Sequence, residues 1–180
     1  MKAIIFDFGG VISLQKGLYY VPIFPDVEMW HQAEEGKIAE DDFWKKIEEY
    51  YHKSADEVIR MLFEERELNA PLIEFLKSKK PGMKFAFINN GLTRLTEKLA
   101  GEWKLGEVFD VMIISSKEKL AKPDPKIFLL ACERLGVKPE ECLYVGKKEG
   151  YVEVAQSLGM RGFVYKDFED FKSQVLGLAE

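Results

Sequence analysis

Lys2-Ala3-Ile4-Ile5-Phe6-Asp7-Phe8-Gly9-Gly10-Val11-Ile12 decides the architecture. It is a run of strand-forming apolar residues, too short for a helix, that stops at one carboxylate and two glycines. A strand buried on both faces of a parallel sheet reads this way. Open α/β sheets hold their chemistry at the carboxyl ends of the strands, which makes Asp7 a candidate functional acid. Gly9 and Gly10 let the chain turn at once and let a ligand approach the backbone. Taken alone, an Asp after an apolar strand is as often a simple turn residue. The rest of the chain gives it weight.

Downstream of residue 70 the chain alternates between strand and helix patterns. A short helix over 71–77 carries Pro71 in its first turn. Strands are expected at 84–88, 111–114, 142–146 and 161–165. Helices are expected at 93–100, 126–135, 149–158 and 168–176. Asp124 and Pro125 are placed to cap and start the third of these five helices, and Gly136 to close it. Five buried strands alternating with helices imply a parallel sheet with right-handed crossovers and helices on both faces. The strand ends then share one crevice, which gathers Asp7, Gly9, Asn89, Asn90, Ser115, Ser116 and residues 146–149, with Lys122 on the rim.

Between Ser13 and Asn69 no strand followed by a helix is evident, and the segment reads as helices and loops. Residues 19–25 form an apolar, proline-broken entry. Residues 39–51 have acids in the first turn and apolar residues at 43, 44, 47, 50 and 51. Ser54 to Glu57 looks like a helix start, with Val58, Met61 and Leu62 as its buried stripe. The fold class is therefore α/β: a three-layer, Rossmann-like core with a five-stranded parallel sheet, over residues 1–13 and 70–180, and a small α-helical insertion over 14–69.

Composition narrows the function. The 180 residues are 47% hydrophobic, enough for a core of this kind. The net charge of −5 and the lack of a basic stripe argue against nucleic acid as a main partner. No apolar run could span a bilayer, and Met1-Lys2 leads into a strand rather than a signal peptide, so a cytoplasmic location without a membrane partner is expected. Cys132 and Cys142 lack CxxC spacing and read as buried thiols, with a disulfide or metal pair as the alternative. His31 and His52 are too scattered for a zinc site. The sequence gives no sign of an oligomeric state.

With these residues in view, the chain resembles the haloacid dehalogenase superfamily over nearly its whole length: a sheet core interrupted after the first strand by a small helical cap. The resemblance implies that Asp7 is a nucleophile taking up a phosphoryl group, or an alkyl group in dehalogenases. It places Asn89, followed by Asn90-Gly91, where a Ser or Thr binds the transferred phosphate. It makes Lys122, before Pro123-Asp124-Pro125, the charge-balancing lysine. The fourth strand of the family ends in acids that hold magnesium, and here that loop reads Gly146-Lys147-Lys148-Glu149-Gly150-Tyr151.

Four positions depart from this pattern. Gly9 stands where phosphatases carry a second Asp as general acid and base. Asn89 replaces a hydroxyl, although an amide still donates to a phosphate oxygen. Lys147 and Tyr151 take the places of the metal-binding acids, and Glu149 is off pattern. Magnesium needs near-octahedral oxygen ligation with carboxylate help, and it normally relieves the repulsion between an attacking carboxylate and a phosphate. Asp7, Lys122 and Lys147 sum to about +1 without a metal, at their usual ionisation states. Lys147 is then either a solvated loop residue beside a decayed pocket, or an ammonium that occupies the cation position and pairs with Asp7.

The expected function follows. The chain is a hydrolase-like protein with a degenerate magnesium site, catalytically impaired, that binds a small anionic metabolite bearing phosphate or carboxylate. Its anion-binding residues would be Gly9, Asn89, Asn90, Lys122 and Lys147, with Asp7 and Lys122 at the catalytic positions. No cofactor is expected. The alternative is an active hydrolase using Asp7 as nucleophile. That would be a phosphatase of small phosphorylated metabolites, with magnesium on Asp7 and Glu149, or a metal-free enzyme of dehalogenase type. A third alternative is an interaction protein with an idle pocket.

Overall fold

In the computed structural model, residues 1–16 and 26–177 are described, and the apolar entry at 19–25 lies outside them. The first strand, β1 (Ala3–Asp7), is buried at all five positions. A short strand, β2 (Ser13–Gln15), follows, and then three helices: α1 (Val27–Glu34), α2 (Glu40–Tyr51) and α3 (Ala55–Glu64). Strand β3 (Arg66–Leu68) and helix α4 (Ala70–Lys79) lead back to the sheet. The rest alternates: β4 (Lys84–Asn89), α5 (Thr93–Glu102), β5 (Val111–Ile114), α6 (Ser115–Glu118), α7 (Pro125–Leu135), β6 (Cys142–Gly146), α8 (Glu149–Ser157), β7 (Arg161–Val164) and α9 (Phe168–Gly177).

Five of these strands form one parallel sheet in the order β5-β4-β1-β6-β7, with β1 at its centre. Ala3 pairs with Lys84 on one side and Cys142 on the other, and Asp7 lies opposite Ile88. Side chains alternate across a strand, so β1 serves both faces. Ile4 and Phe6 join Phe85, Phe87, Leu143 and Val145 on one face. Ala3 and Ile5 join Ala86, Ile88 and Tyr144 on the other, covered by Ile127, Phe128 and Ala131 of α7 and by Val152 and Ala155 of α8. Both faces are sealed, which is why β1 carries no polar residue before Asp7.

The stretch between β1 and α4 differs from a purely helix-and-loop reading. Ser13–Gln15 pairs antiparallel with Arg66–Leu68, so the two ends of the insertion are joined by a two-stranded stem. Strands of three residues are too short to show an alternating pattern. In α2, Phe43, Trp44 and Ile47 are buried, while Tyr50 is exposed. In α3 the buried stripe is Val58, Ile59 and Leu62, and Met61 is half-buried. The buried residues of α2 and α3 share one hydrophobic cluster with Ile4 and Phe6, so the insertion packs on the sheet's own core.

Polar contacts fix the insertion's position. Asn69 caps α4, accepting from Leu72 N at 3.4 Å, and its Nδ2 donates to Val11 O and Tyr165 Oη, each at 2.8 Å. Glu40, at the start of α2, accepts from Thr93 N at 2.8 Å and Arg94 N at 2.9 Å, the first amides of α5. A carboxylate there satisfies donors that a helix leaves unpaired and meets the positive end of its dipole. The indole Nε1 of Trp44 also donates to Glu40 at 2.9 Å. Ser115 Oγ donates to the Glu34 carbonyl and accepts from Gly91 N at 2.9 Å.

Candidate functional site

Asp7 ends β1 in a buried position. Its Oδ1 accepts from its neighbour's amide, Phe8 N, at 2.9 Å, and forms a buried ion pair with Lys122 Nζ. Lys122 is 4% exposed, and its ammonium also donates to Ile88 O at 2.8 Å. Burial lowers the Lys122 pKa from its ordinary value, Asp7 opposes that shift, and nearby Lys148 adds to it. A charge buried this deeply persists only when its hydrogen bonds are supplied.

Asn90 supplies the scaffold for Lys122. Its Nδ2 donates to Lys122 O at 2.8 Å, and its Oδ1 accepts from Lys122 N at 2.9 Å. The side-chain amide therefore clamps the Lys122 backbone through its oxygen and one N–H. Asn89 is turned as well: its Nδ2 donates to Thr96 Oγ1 at 2.8 Å, and that hydroxyl donates to Leu92 O. Asp124 Oδ1 accepts from Lys126 N at 2.9 Å, and Gly136, at φ +66°, ends α7, as the sequence implies.

The loop after β6 is arranged differently. Lys147 is exposed, and its chain crosses Gly10: a Cβ built there would meet Lys147 Cδ at 2.8 Å. Gly10 has φ +76°, so a side chain is disfavoured on both counts. The expected pairing of Lys147 with Asp7 is not formed. Among the described residues, the ion pair of Asp7 is with Lys122. One ammonium already meets that carboxylate, and burying a second would add a desolvation penalty with little left to pair it.

Tyr151 sits between two other cations, its ring centroid 5.1 Å from Lys122 Nζ and 5.2 Å from Lys148 Nζ. Glu149 is exposed in the first turn of α8 and does not line the cavity described next.

A cavity of about 860 Å³ opens above the strand ends. Asp7, Gly9, Gly10, Asn89, Asn90, Lys122, Lys147, Lys148 and Tyr151 line its floor. The insertion contributes Val27, Trp30, His31 and Glu34. Among the described residues, nothing lies within 4 Å of a Cβ built on Gly9. Ser115 and Ser116 do not line it. Ser116 Oγ is hydrogen bonded to Thr93 Oγ1 at 2.7 Å.

Several lining residues had no signal in the sequence. Burial raises the Glu34 pKa above the ordinary carboxylate range, against hydrogen bonds from Trp30 and His31 and the charge of Lys148. Lys148 lies in the same loop as Lys147, but spacing alone does not tell which of two adjacent lysines reaches inward. Among the described residues there is no cluster of three or more His, Cys, Asp or Glu side chains of the kind that holds a metal ion. Among them, too, no helix is long and apolar enough to cross a membrane.

Comparison with known proteins bears on the family and the fold. A family described as haloacid dehalogenase-like hydrolase matches residues 1–159. A phosphorylated carbohydrates phosphatase of Thermotoga maritima is 28% identical over 89% of this chain and 82% of its own length. A predicted hydrolase of this family from Porphyromonas gingivalis superposes with a TM-score of 0.82, covering 100% of this chain and 98% of its own, at 22% identity. A family enzyme of Bacteroides thetaiotaomicron, solved as a magnesium complex, gives 0.81 over 97% and 98% at 20% identity. At such identities the two structures speak for the fold alone.

Proposed function

The chain belongs to the haloacid dehalogenase-like hydrolase family, and from that premise we propose that it binds a small molecule carrying a phosphate or carboxylate without magnesium-assisted turnover. In this reading residues 14–69 are the cap and residues 1–13 and 70–180 the core. Asp7 keeps the nucleophile position and Lys122 balances its charge. Lys147 and Lys148 receive the ligand's anion, with Gly9 leaving room for it and Asn89 beside it. Asn90 acts through Lys122.

The observation that carries the proposal is the surroundings of Tyr151. Where the family pattern asks for a metal-binding acid, an aromatic ring lies about equally close to two ammonium groups. A π face attracts ammonium ions and offers magnesium no oxygen ligand in place of a carboxylate. Among the described residues the donors do not fit magnesium: Asp7 Oδ1 is taken by Lys122 and Phe8 N, Lys147 and Lys148 would repel the ion, and Glu149 does not line the cavity. Neither Lys147 nor Lys148 forms an ion pair with a described residue, so both remain available to an oxyanion.

A second reading, an active phosphatase of small phosphorylated metabolites, is favoured by the Thermotoga maritima relative and the intact Asp7–Lys122 pair. Two measurements separate them. Calorimetry with inorganic phosphate should give binding that Lys147→Ala with Lys148→Ala abolishes. Hydrolysis of an aryl phosphate should show no rise with magnesium. Turnover that rises with magnesium and vanishes in Asp7→Asn would overturn the proposal. Conversely, Gly9→Asp with Lys147→Asp and Tyr151→Asp should create magnesium affinity where the parent has none.

A further inference from the structure

We propose that Cys132 and Cys142 form a redox-convertible dithiol, in which oxidation joins them as an internal disulfide tying α7 to β6 and a thiol reductant reopens it. This site lies away from the cavity and does not depend on the proposed function.

These are the two cysteines of the chain, and both are free. They come from different elements, Cys132 from the second half of α7 and Cys142 from the first position of β6. Their Sγ atoms lie 3.7 Å apart, in hydrogen-bond contact. A disulfide needs about 2.05 Å between sulfurs, so closure asks for an approach of roughly 1.7 Å.

Both thiols are buried, at 3% and 0% exposure, in the apolar cluster of Phe128, Ala131 and Leu135. Cys142 Sγ also donates to Lys138 O at 3.4 Å. The Cys132 pKa is lowered, first by its hydrogen bond with Cys142, so one sulfur of the pair is favoured as the attacking thiolate. The link would join the two elements adjoining the cavity lysines. α7 begins just after Lys122, and β6 runs directly into Lys147 and Lys148.

With glutathione disulfide as oxidant, reached when a transient local opening exposes the pair, one protein thiolate attacks a glutathione sulfur. The S–S bond of the oxidant breaks and one glutathione thiolate leaves. The second protein thiol loses its proton, attacks the protein sulfur of the mixed disulfide and expels the second glutathione. Two protein thiols become one disulfide, and one glutathione disulfide becomes two glutathione thiols.

The test is an equilibrium. The full chain is held in glutathione redox buffers, with and without denaturant, starting from both the reduced and the oxidised form. It is then quenched with N-ethylmaleimide in denaturant and weighed intact. In the folded chain the ratio of internal disulfide to dithiol should exceed that of the unfolded chain at least tenfold. The oxidised species should carry neither maleimide nor glutathione, yield a linked peptide containing Cys132 and Cys142, and melt at a higher temperature. Cys132→Ser should retain one thiol and form no internal link. A folded-state ratio at or below the unfolded one, predominance of mixed disulfides, or an oxidised chain that cannot refold would each overturn the proposal.

Discussion

The two halves of the cavity floor are built by opposite rules. On the Asp7–Lys122 side the buried cation is held within the protein: the ammonium by Asp7 Oδ1 and Ile88 O, and the Lys122 backbone by both ends of the Asn90 amide. On the Lys147–Tyr151 side the cations are exposed and touch ring or backbone surfaces rather than carboxylates. In the proposed reading the first half keeps the residues that the family resemblance implies and the second replaces them. The contrast suggests a physical reason. Removing a residue from the buried half leaves an unpaired charge in the core, whereas the exposed half can change its side chains at little structural cost.

The largest test of this contrast is Lys122→Met. It should destabilise the fold by about 3–5 kcal/mol, the usual effect of removing one member of a buried pair, read from urea denaturation midpoints. Adding Asp7→Leu should recover most of that loss. If Lys122→Met is as stable as the parent, the buried half is not held by charge pairing.

Asn90→Ala comes next. It deletes two hydrogen bonds to one peptide and should lose about 1–3 kcal/mol in the same assay. Glu40→Ala tests the fastening between insertion and core. Loss of the α5 cap should give up about 0.5–2 kcal/mol, and the effect should shrink in high salt. At the small end, Lys147→Ala should move stability by no more than about 0.5 kcal/mol while it weakens phosphate binding. A loss comparable to that of Lys122→Met would erase the distinction between the two halves.

Glu34 gives a pH test of the cavity wall. Its folded pKa is raised, chiefly by burial, so the folded state holds this proton more tightly than the unfolded chain. Its contribution to stability is therefore fully present below the ordinary carboxylate value of 4.5 and is lost as pH rises through the folded value. The difference in stability between parent and Glu34→Gln should follow that course. A flat difference would mean that Glu34 is solvated.

Much of this was legible in the sequence because the strands of a doubly covered sheet are nearly continuous apolar runs. The expected segments at 84–88, 111–114 and 142–146 match β4, β5 and β6 to within a residue. Asp124 and Gly136 marked the ends of α7 through cap chemistry that is local by nature. β2 and β3 escaped because their pairing is set by the stem they close and not by their own three residues each. Helix α1 escaped because Ala33 is its sole fully buried residue, which leaves almost no periodic signal. The partner of Asp7 was the least legible point. Lys122 and Lys147 both stand on the rim in sequence terms, and only the path of each side chain decides which ammonium reaches the acid.

The position of β1 between β4 and β6 bears on how the protein is made. The strand that ends in Asp7 pairs with residues 84–88 and 142–145, both far along the chain, and parallel partners this distant carry a high loop-closure entropy. Formation of the sheet's centre is thus a late and slow event in folding. Until residues 142–145 arrive, one edge of an intensely apolar strand stands bare, with its amides and carbonyls free to template contact with another chain. Nascent or truncated chains ending before β6 are accordingly the forms most exposed to aggregation, and chaperones that recognise short apolar segments would engage them at residues 3–6.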